Sequence, residues 1–265
     1  MKLRRWKAAV TTAVALLGLT TLSTTAAQAA DVAALDYVAL GDSYSSGVGA
    51  DAYDGSDCRR SANAYPQLWK ANNAPASFAF TACSGATTSD VLASQLGPVN
   101  SGTDLVSISI GGNDAGFADI MTTCVVFGES ACVNAVNDAR AYVESTLPGR
   151  LDGVYNAISD RAPGARVVVL GYPHIYKING NCSIGLSERS REAINSAADD
   201  LHNVTSKRAA DHGFAYGDVR PAFSGHEICT SDRWLHSTTW PVWESYHPTA
   251  EGQANGYYPV MESLA

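Results

Sequence analysis

Five short apolar runs, the first four each closing on glycine or a small polar loop and followed by a helical pattern, constrain this chain more than anything else in it. Tyr37 to Leu40 stops at Gly41-Asp42-Ser43. Ser77 to Thr81 runs into Ala82-Cys83-Ser84-Gly85, and Asp104 to Ile110, rich in β-branched residues, meets Gly111-Gly112-Asn113-Asp114. Arg166 to Leu170 ends at Gly171, and Phe214 to Val219 supplies a fifth run. Apolar runs of this length bounded by glycine read as buried strands. Between them the spacing predicts helices: one opened by Asn63-Ala64-Tyr65-Pro66, a short one capped at Thr88-Ser89-Asp90, and a long one over Ala131–Ala162 broken near Leu147-Pro148-Gly149, its second half running Leu151–Arg161. Ser187 to His212 is the last, capped by Ser187 and ended by Gly213. Strands alternating with helices argue a doubly wound α/β domain with a parallel sheet. No repeat, linker or low-complexity tract divides the chain, so one domain over 30–265 is the expectation.

The first 29 residues stand outside that pattern. Lys2, Arg4, Arg5 and Lys7 form a basic head, Ala8 to Leu22 an apolar stretch, and Ala27-Gln28-Ala29 a small-x-small cleavage site. This reads as a secretory signal peptide; a membrane anchor would need about 20 unbroken apolar residues. Arg4-Arg5 leaves the export route open. The formal net charge is −8 with histidine neutral, and removing a leader that carries only basic charges makes it more negative still. A chain so acidic is a poor partner for nucleic acid or an anionic membrane. Six cysteines, Cys58, Cys83, Cys124, Cys132, Cys182 and Cys229, suit an exported chain as disulfides. No Cys-x-x-Cys pair or His-x-x-x-His helix suggests zinc.

In a parallel sheet, strand ends of like direction share one edge, so the loops carrying Ser43, Gly85 and Asn113 are expected together. Acyl transfer needs a nucleophile, a base beside it and donors facing the developing oxyanion. Ser43 is the nucleophile candidate and His247, held before Pro248, the base candidate. The N–H groups of Ser43 and Gly85 and the side-chain amide of Asn113 are the oxyanion candidates. Each residue alone has an ordinary turn or surface role; the set carries the argument. The tail from Pro221 is irregular and aromatic: Trp234 reads as packing, while Trp240 and Trp243 fit either packing or an apolar wall beside the site.

With Gly41-Asp42-Ser43, Gly85, Gly111-Gly112-Asn113-Asp114 and His247-Pro248 in that order, the chain resembles the SGNH (GDSL) hydrolase superfamily across nearly all of residues 30–265. It is most similar to its secreted actinobacterial lipases, esterases and phospholipase A-type enzymes. The resemblance implies a flavodoxin-like three-layer α/β/α sandwich with a mainly parallel five-stranded sheet. It implies sequential bridges Cys58–Cys83, Cys124–Cys132 and Cys182–Cys229, and a secreted monomer that cleaves lipid acyl esters without cofactor or metal, touching lipid interfaces at most transiently. Two positions depart from the family pattern. Tyr44 replaces a leucine, and Glu244 stands where the family usually has aspartate, three residues before the histidine. Two versions therefore remain: a Ser43–His247–Glu244 triad, or a dyad whose imidazole is oriented by the carbonyl of Glu244 or Ser245. A carbohydrate O-acetyl esterase and a non-catalytic binding protein on the same fold are the rival readings. An ordinary α/β-hydrolase is disfavoured by the absence of a Gly-x-Ser-x-Gly elbow at Ser43.

Overall fold

The computed structural model describes residues 35–265. The basic head, apolar stretch and cleavage site lie outside the described residues. All five apolar runs are strands: β1 (Asp36–Gly41), β2 (Ser77–Phe80), β3 (Leu105–Ser109), β4 (Arg166–Leu170) and β5 (Ala215–Gly217). They form one sheet in the order β2-β1-β3-β4-β5, and every pairing is parallel. The chain leaves β1 toward one edge and β3 toward the other. The gap above their carboxyl ends is the topological switch point, where folds of this order place ligands.

Side chains alternate across a strand, and here each alternation has its own core. Tyr37 and Ala39 point into one apolar cluster with Tyr65, Trp69 and Met261. Val38 and Leu40 point into the other, with Leu147, Leu151 and Leu201. The first face is covered by α2 (Tyr65–Asn73), the front part of α4 (Phe117–Ser145) and the last helix, α8 (Tyr258–Glu262). The second is covered by α5 (Leu147–Arg161) and much of α6 (Glu188–Asp211). Shorter helical turns, α1 (Ser43–Ser46), α3 (Thr88–Asp90) and α7 (Arg220–Phe223), lie between the longer elements. The result is three layers, α/β/α.

Several boundaries differ from the sequence reading, each for a local reason. The nucleophile loop is itself helical: Asp42 caps α1, its carboxylate accepting the Tyr44 N–H at 2.9 Å. Thr87, not Thr88, caps α3, through a reciprocal pair of bonds with Asp90. The break expected near Leu147-Pro148-Gly149 falls at Thr146, and α5 begins at Leu147 rather than Leu151 because Pro148 sits in its first turn, where its missing N–H costs nothing. The helix expected from Ala131 starts at Phe117 and bends at Gly128, whose φ of 81° is not helical. Cys124 and Cys132 are bonded across that bend. The other bridges join Cys58 to Cys83 and Cys182 to Cys229.

Candidate active site

Gly41 sets the position of the serine. Its φ is +122°, and a Cβ there would lie 2.5 Å from the Ser109 carbonyl of β3, so only glycine lets β1 turn this close to its neighbour. The amide of Gln95 completes the turn, accepting the Gly41 N–H at 2.7 Å and donating to its carbonyl at 2.8 Å. Ser43 then opens α1, where a backbone N–H has no intrahelical acceptor.

The imidazole of His247 arrives from the irregular tail. Its Nε2 lies 2.7 Å from Ser43 Oγ, and its Nδ1 lies 3.0 Å from the carbonyl oxygen of Ser245. A carbonyl only accepts, so Nδ1 carries the proton and Nε2 is left to accept from the serine hydroxyl. Burial lowers the His247 pKa to about 4, keeping the imidazole neutral and available as a base.

Glu244 is not brought to the imidazole ring, as the triad version would need. Its carboxylate accepts the Tyr53 hydroxyl at 2.7 Å, and Tyr53 in turn accepts the Gly49 N–H at 2.8 Å. The reason is a tight turn. The His247 N–H bonds back to the Glu244 carbonyl at 3.2 Å, and Tyr246 adopts a left-handed φ of 67°. That fold brings the Ser245 carbonyl under the imidazole and turns the Glu244 side chain toward Tyr53. Of the two carbonyls considered from sequence, Ser245 is the one bonded to Nδ1.

Gly85 and Asn113 line the same cleft as Ser43 and His247. Gly85 has a φ of +81° and open space around it. Asn113 gives one amide hydrogen to the Ala86 carbonyl at 3.0 Å, which aims the Nδ2 group and leaves its second hydrogen for a ligand. The loop is braced by Asp114, whose carboxylate accepts the Thr88 N–H at 2.9 Å and the Thr88 hydroxyl at 2.5 Å. Asp42 also braces: besides capping α1 it accepts the Tyr172 hydroxyl, and burial pushes its carboxyl up to about 7. The four loops named from sequence therefore meet at one rim of the sheet.

From this rim a cleft of ≈ 740 Å³ runs away between α4 and α6. Its wall is aliphatic, with Ile120, Met121 and Val136 from α4 and Ile194 and Leu201 from α6. The tail contributes Val242, Trp243 and Tyr246 to the apolar lining; Arg59 lies over the Trp243 ring at 4.4 Å. Trp234 packs, stacked on His226 at 3.6 Å between ring centres, and Trp240 is 86% exposed. The wall is thus built by helices more than by the tryptophans.

Residues 39–254 match the model of the GDSL-like Lipase/Acylhydrolase family. The chain belongs to that family. It is an ester hydrolase, and its relatives narrow the group. A lipase from Streptomyces rimosus is 62% identical over 256 residues, 96% of this chain and 94% of the relative. The crystal structure of the extracellular lipase from Streptomyces rimosus superposes with a TM-score of 0.86 at 64% identity, over 88% of this chain and all of that one. The crystal structure of phospholipase A1 from Streptomyces albidoflavus NA297 matches with the same TM-score, identity and coverage. The ester substrate of this GDSL-like hydrolase follows from the family; no helix among the described residues is long and apolar enough to cross a membrane.

Four residues support the pair through contacts that the sequence did not display. Tyr44 donates its hydroxyl to the Tyr246 carbonyl at 2.7 Å, which makes the leucine replacement a brace for the histidine turn. Gln253 bonds Tyr44 O at 3.0 Å and the Tyr65 N–H at 2.9 Å. His236 pins the Gly49 carbonyl at 2.7 Å, and its backbone pairs with residues 246 and 247. Gln95 was read only as part of a helix. A glutamine at helical spacing gives no signal that its amide will serve as a strand surrogate.

Proposed function

We propose that this GDSL-like hydrolase is a secreted, monomeric serine acyl hydrolase that cleaves the acyl esters of lipids, with Ser43 as nucleophile and His247 as base. His247 Nε2 takes the Ser43 hydroxyl proton as Oγ attacks the ester carbonyl carbon. The carbonyl oxygen gains the negative charge and is held by the N–H groups of Ser43 and Gly85 and by Asn113 Nδ2. Such donors act on charge that exists only at the transition state, and each is worth about 10²–10³ in turnover. The imidazolium then returns its proton to the departing alkoxide as the C–O bond breaks, leaving an acyl group on Ser43. Water, deprotonated by His247, attacks that acyl group, and the acid leaves as Ser43 recovers its proton. Throughout, the Ser245 carbonyl keeps the imidazole in one tautomer and takes up part of the positive charge on Nδ1–H. No step needs a metal or cofactor.

The observation that carries the substrate class is the ≈ 740 Å³ cleft, walled by aliphatic side chains, that opens directly onto the Ser43–His247 pair. A long apolar trough beside the nucleophile suits an acyl chain. The acidic charge and the leader read at residues 1–29 support export, as does the description of the Streptomyces rimosus relative as extracellular. The test is hydrolysis of aryl esters graded from acetyl to long-chain acyl, with Ser43→Ala as control and a fluorophosphonate as label. Turnover rising with chain length and labelling lost in Ser43→Ala are expected. A sharp preference for acetyl would instead identify an O-acetyl esterase, and failure to label Ser43 would identify a binding protein.

A further inference from the structure

Among the described residues seven large apolar side chains are exposed, and they are not scattered: Val125, Val126, Phe127, Trp240 and Val242 account for five of them. They fall in two short segments. Val125 and Val126 line the cleft from α4, and Val242 lines it from the tail, so both segments border the opening through which substrate reaches Ser43. Phe127 and Trp240 lie beyond the lining, at 69% and 86% exposure. A ring left this open contributes little to folding, and two at the mouth of one cleft mark a contact surface.

Each segment has a firm root and a free tip. Cys124 and Cys132 are bonded and buried, at 2% and 0% exposure, while the stretch between them projects where α4 bends at Gly128. Trp243 is held edge-on by Tyr53, with ring centres 5.1 Å apart, and Trp240 extends from it into solvent. Neither Val125–Phe127 nor Trp240–Trp243 contains a charged side chain, and the whole chain carries −8. That charge disfavours an anionic lipid surface, which attracts basic segments. It does not oppose a zwitterionic one, whose headgroup layer accepts aromatic and aliphatic side chains readily.

We propose that these two segments form a docking surface for an electrically neutral lipid layer, in which Phe127 and Trp240 insert and hold the mouth of the cleft against the substrate. The proposal rests on the lipid-ester reading of the site and names the surface by which aggregated substrate is met. Docking shortens the path of an acyl chain from the layer to the cleft, because Val125, Val126 and Val242 bridge the inserted tips and the interior wall.

The experiment uses the full chain carrying Ser43→Ala, so that the lipid survives, and vesicles of phosphatidylcholine or phosphatidylglycerol. Binding is read by co-flotation. Full burial of one aromatic ring is worth about tenfold in partition or more, so Phe127→Ser with Trp240→Ser is expected to weaken binding to phosphatidylcholine at least tenfold. Phosphatidylglycerol vesicles bind less tightly than phosphatidylcholine at low salt. With Ser43 intact, the same two substitutions leave turnover of a water-soluble short-chain ester unchanged, which establishes the fold. Phe127→Leu with Trp240→Phe, which keeps apolar bulk, retains binding. The proposal is overturned if the Ser43→Ala chain does not bind phosphatidylcholine, if the serine pair binds as well as its parent, or if the bulk-preserving pair loses as much as the serine pair. A chain that docks yet, with Ser43 present, releases no fatty acid sinks the lipid-ester reading and leaves the docking surface standing.

Discussion

Replacing Glu244 by glutamine separates the two ways in which the imidazole could be oriented. If the Glu244 carboxylate held His247, neutralising it would act like removal of a triad acid, which costs about 10⁴ in turnover. The geometry predicts otherwise. Nδ1 of His247 is satisfied by the Ser245 carbonyl at 3.0 Å, and the Glu244 carboxylate is engaged by Tyr53 at 2.7 Å. Glutamine keeps an acceptor oxygen for Tyr53, so the change turns one charge-assisted bond into a neutral one, a loss of about 1 kcal/mol. Even if all of that reached the activation barrier, turnover would fall by only about fivefold. The assay is kcat and kcat/KM for a soluble aryl ester, with thermal unfolding as the control for fold. A loss of about 10³ or more at an unchanged melting temperature would refute the reasoning, because it would require the carboxylate to reach the imidazole in the working enzyme.

Four further outcomes are expected. With the His247 pKa lowered to about 4 by burial, kcat/KM for a soluble ester holds its plateau through mild acid and falls along a limb near 4, where an exposed histidine would give a limb near 6.5. Because that folded value lies below the unfolded one, the unfolded chain binds the proton first. The His247 contribution to stability, complete at neutral pH, is therefore lost as pH falls from 6.5 toward about 4, and acid titration of the melting temperature checks it. Tyr44→Phe removes the bond to the Tyr246 carbonyl and loosens the histidine turn; kcat should fall by about tenfold, the effect of about 1.4 kcal/mol, with KM little changed. Gln95→Leu strands the N–H of Gly41 in the core while its carbonyl keeps the Cys83 N–H, at about 1–3 kcal/mol, and should lower the melting temperature by about 2–12 °C.

Strand-and-loop alternation was legible because it is a local property. Tyr37 and Val38, or Val168 and Val169, are apolar on opposite faces of their strands, and glycine ends the runs of β1, β3 and β4. The loops of Ser43, Gly85 and Asn113 follow from parallel pairing alone. What the sequence could not display are bonds formed between distant segments. The hydroxyl of Tyr44 reaches residue 246, and Gln95 reaches Gly41. The two versions for Glu244 stayed open for the same reason: its position three residues before His247 suggests proximity, but the left-handed turn at Tyr246 decides which group faces the ring. The early start of α4 was hidden because Gly128 interrupts the helical pattern while the Cys124–Cys132 bond spans the interruption.

The base is the one member of the site that the sheet does not position, and this explains the density of bracing around it. Ser43, Gly85 and Asn113 ride on β1, β2 and β3, whose backbones are tied through the ladder. His247 hangs from a loop, and three contacts tie that loop back to the segment that follows β1. Tyr44, the residue after the nucleophile, bonds Tyr246 O; Gly49 O accepts from His236, which pairs with the histidine turn; and Tyr53 joins Gly49 N to Glu244. Every one of these contacts starts within the stretch from Tyr44 to Tyr53. These ties couple the position of the histidine loop to that of the turn carrying Ser43, whose Oγ lies 2.7 Å from Nε2. In the proposed mechanism the glutamate beside the histidine serves that coupling, and the carbonyl of Ser245, 3.0 Å from Nδ1, is the group placed to orient the imidazole.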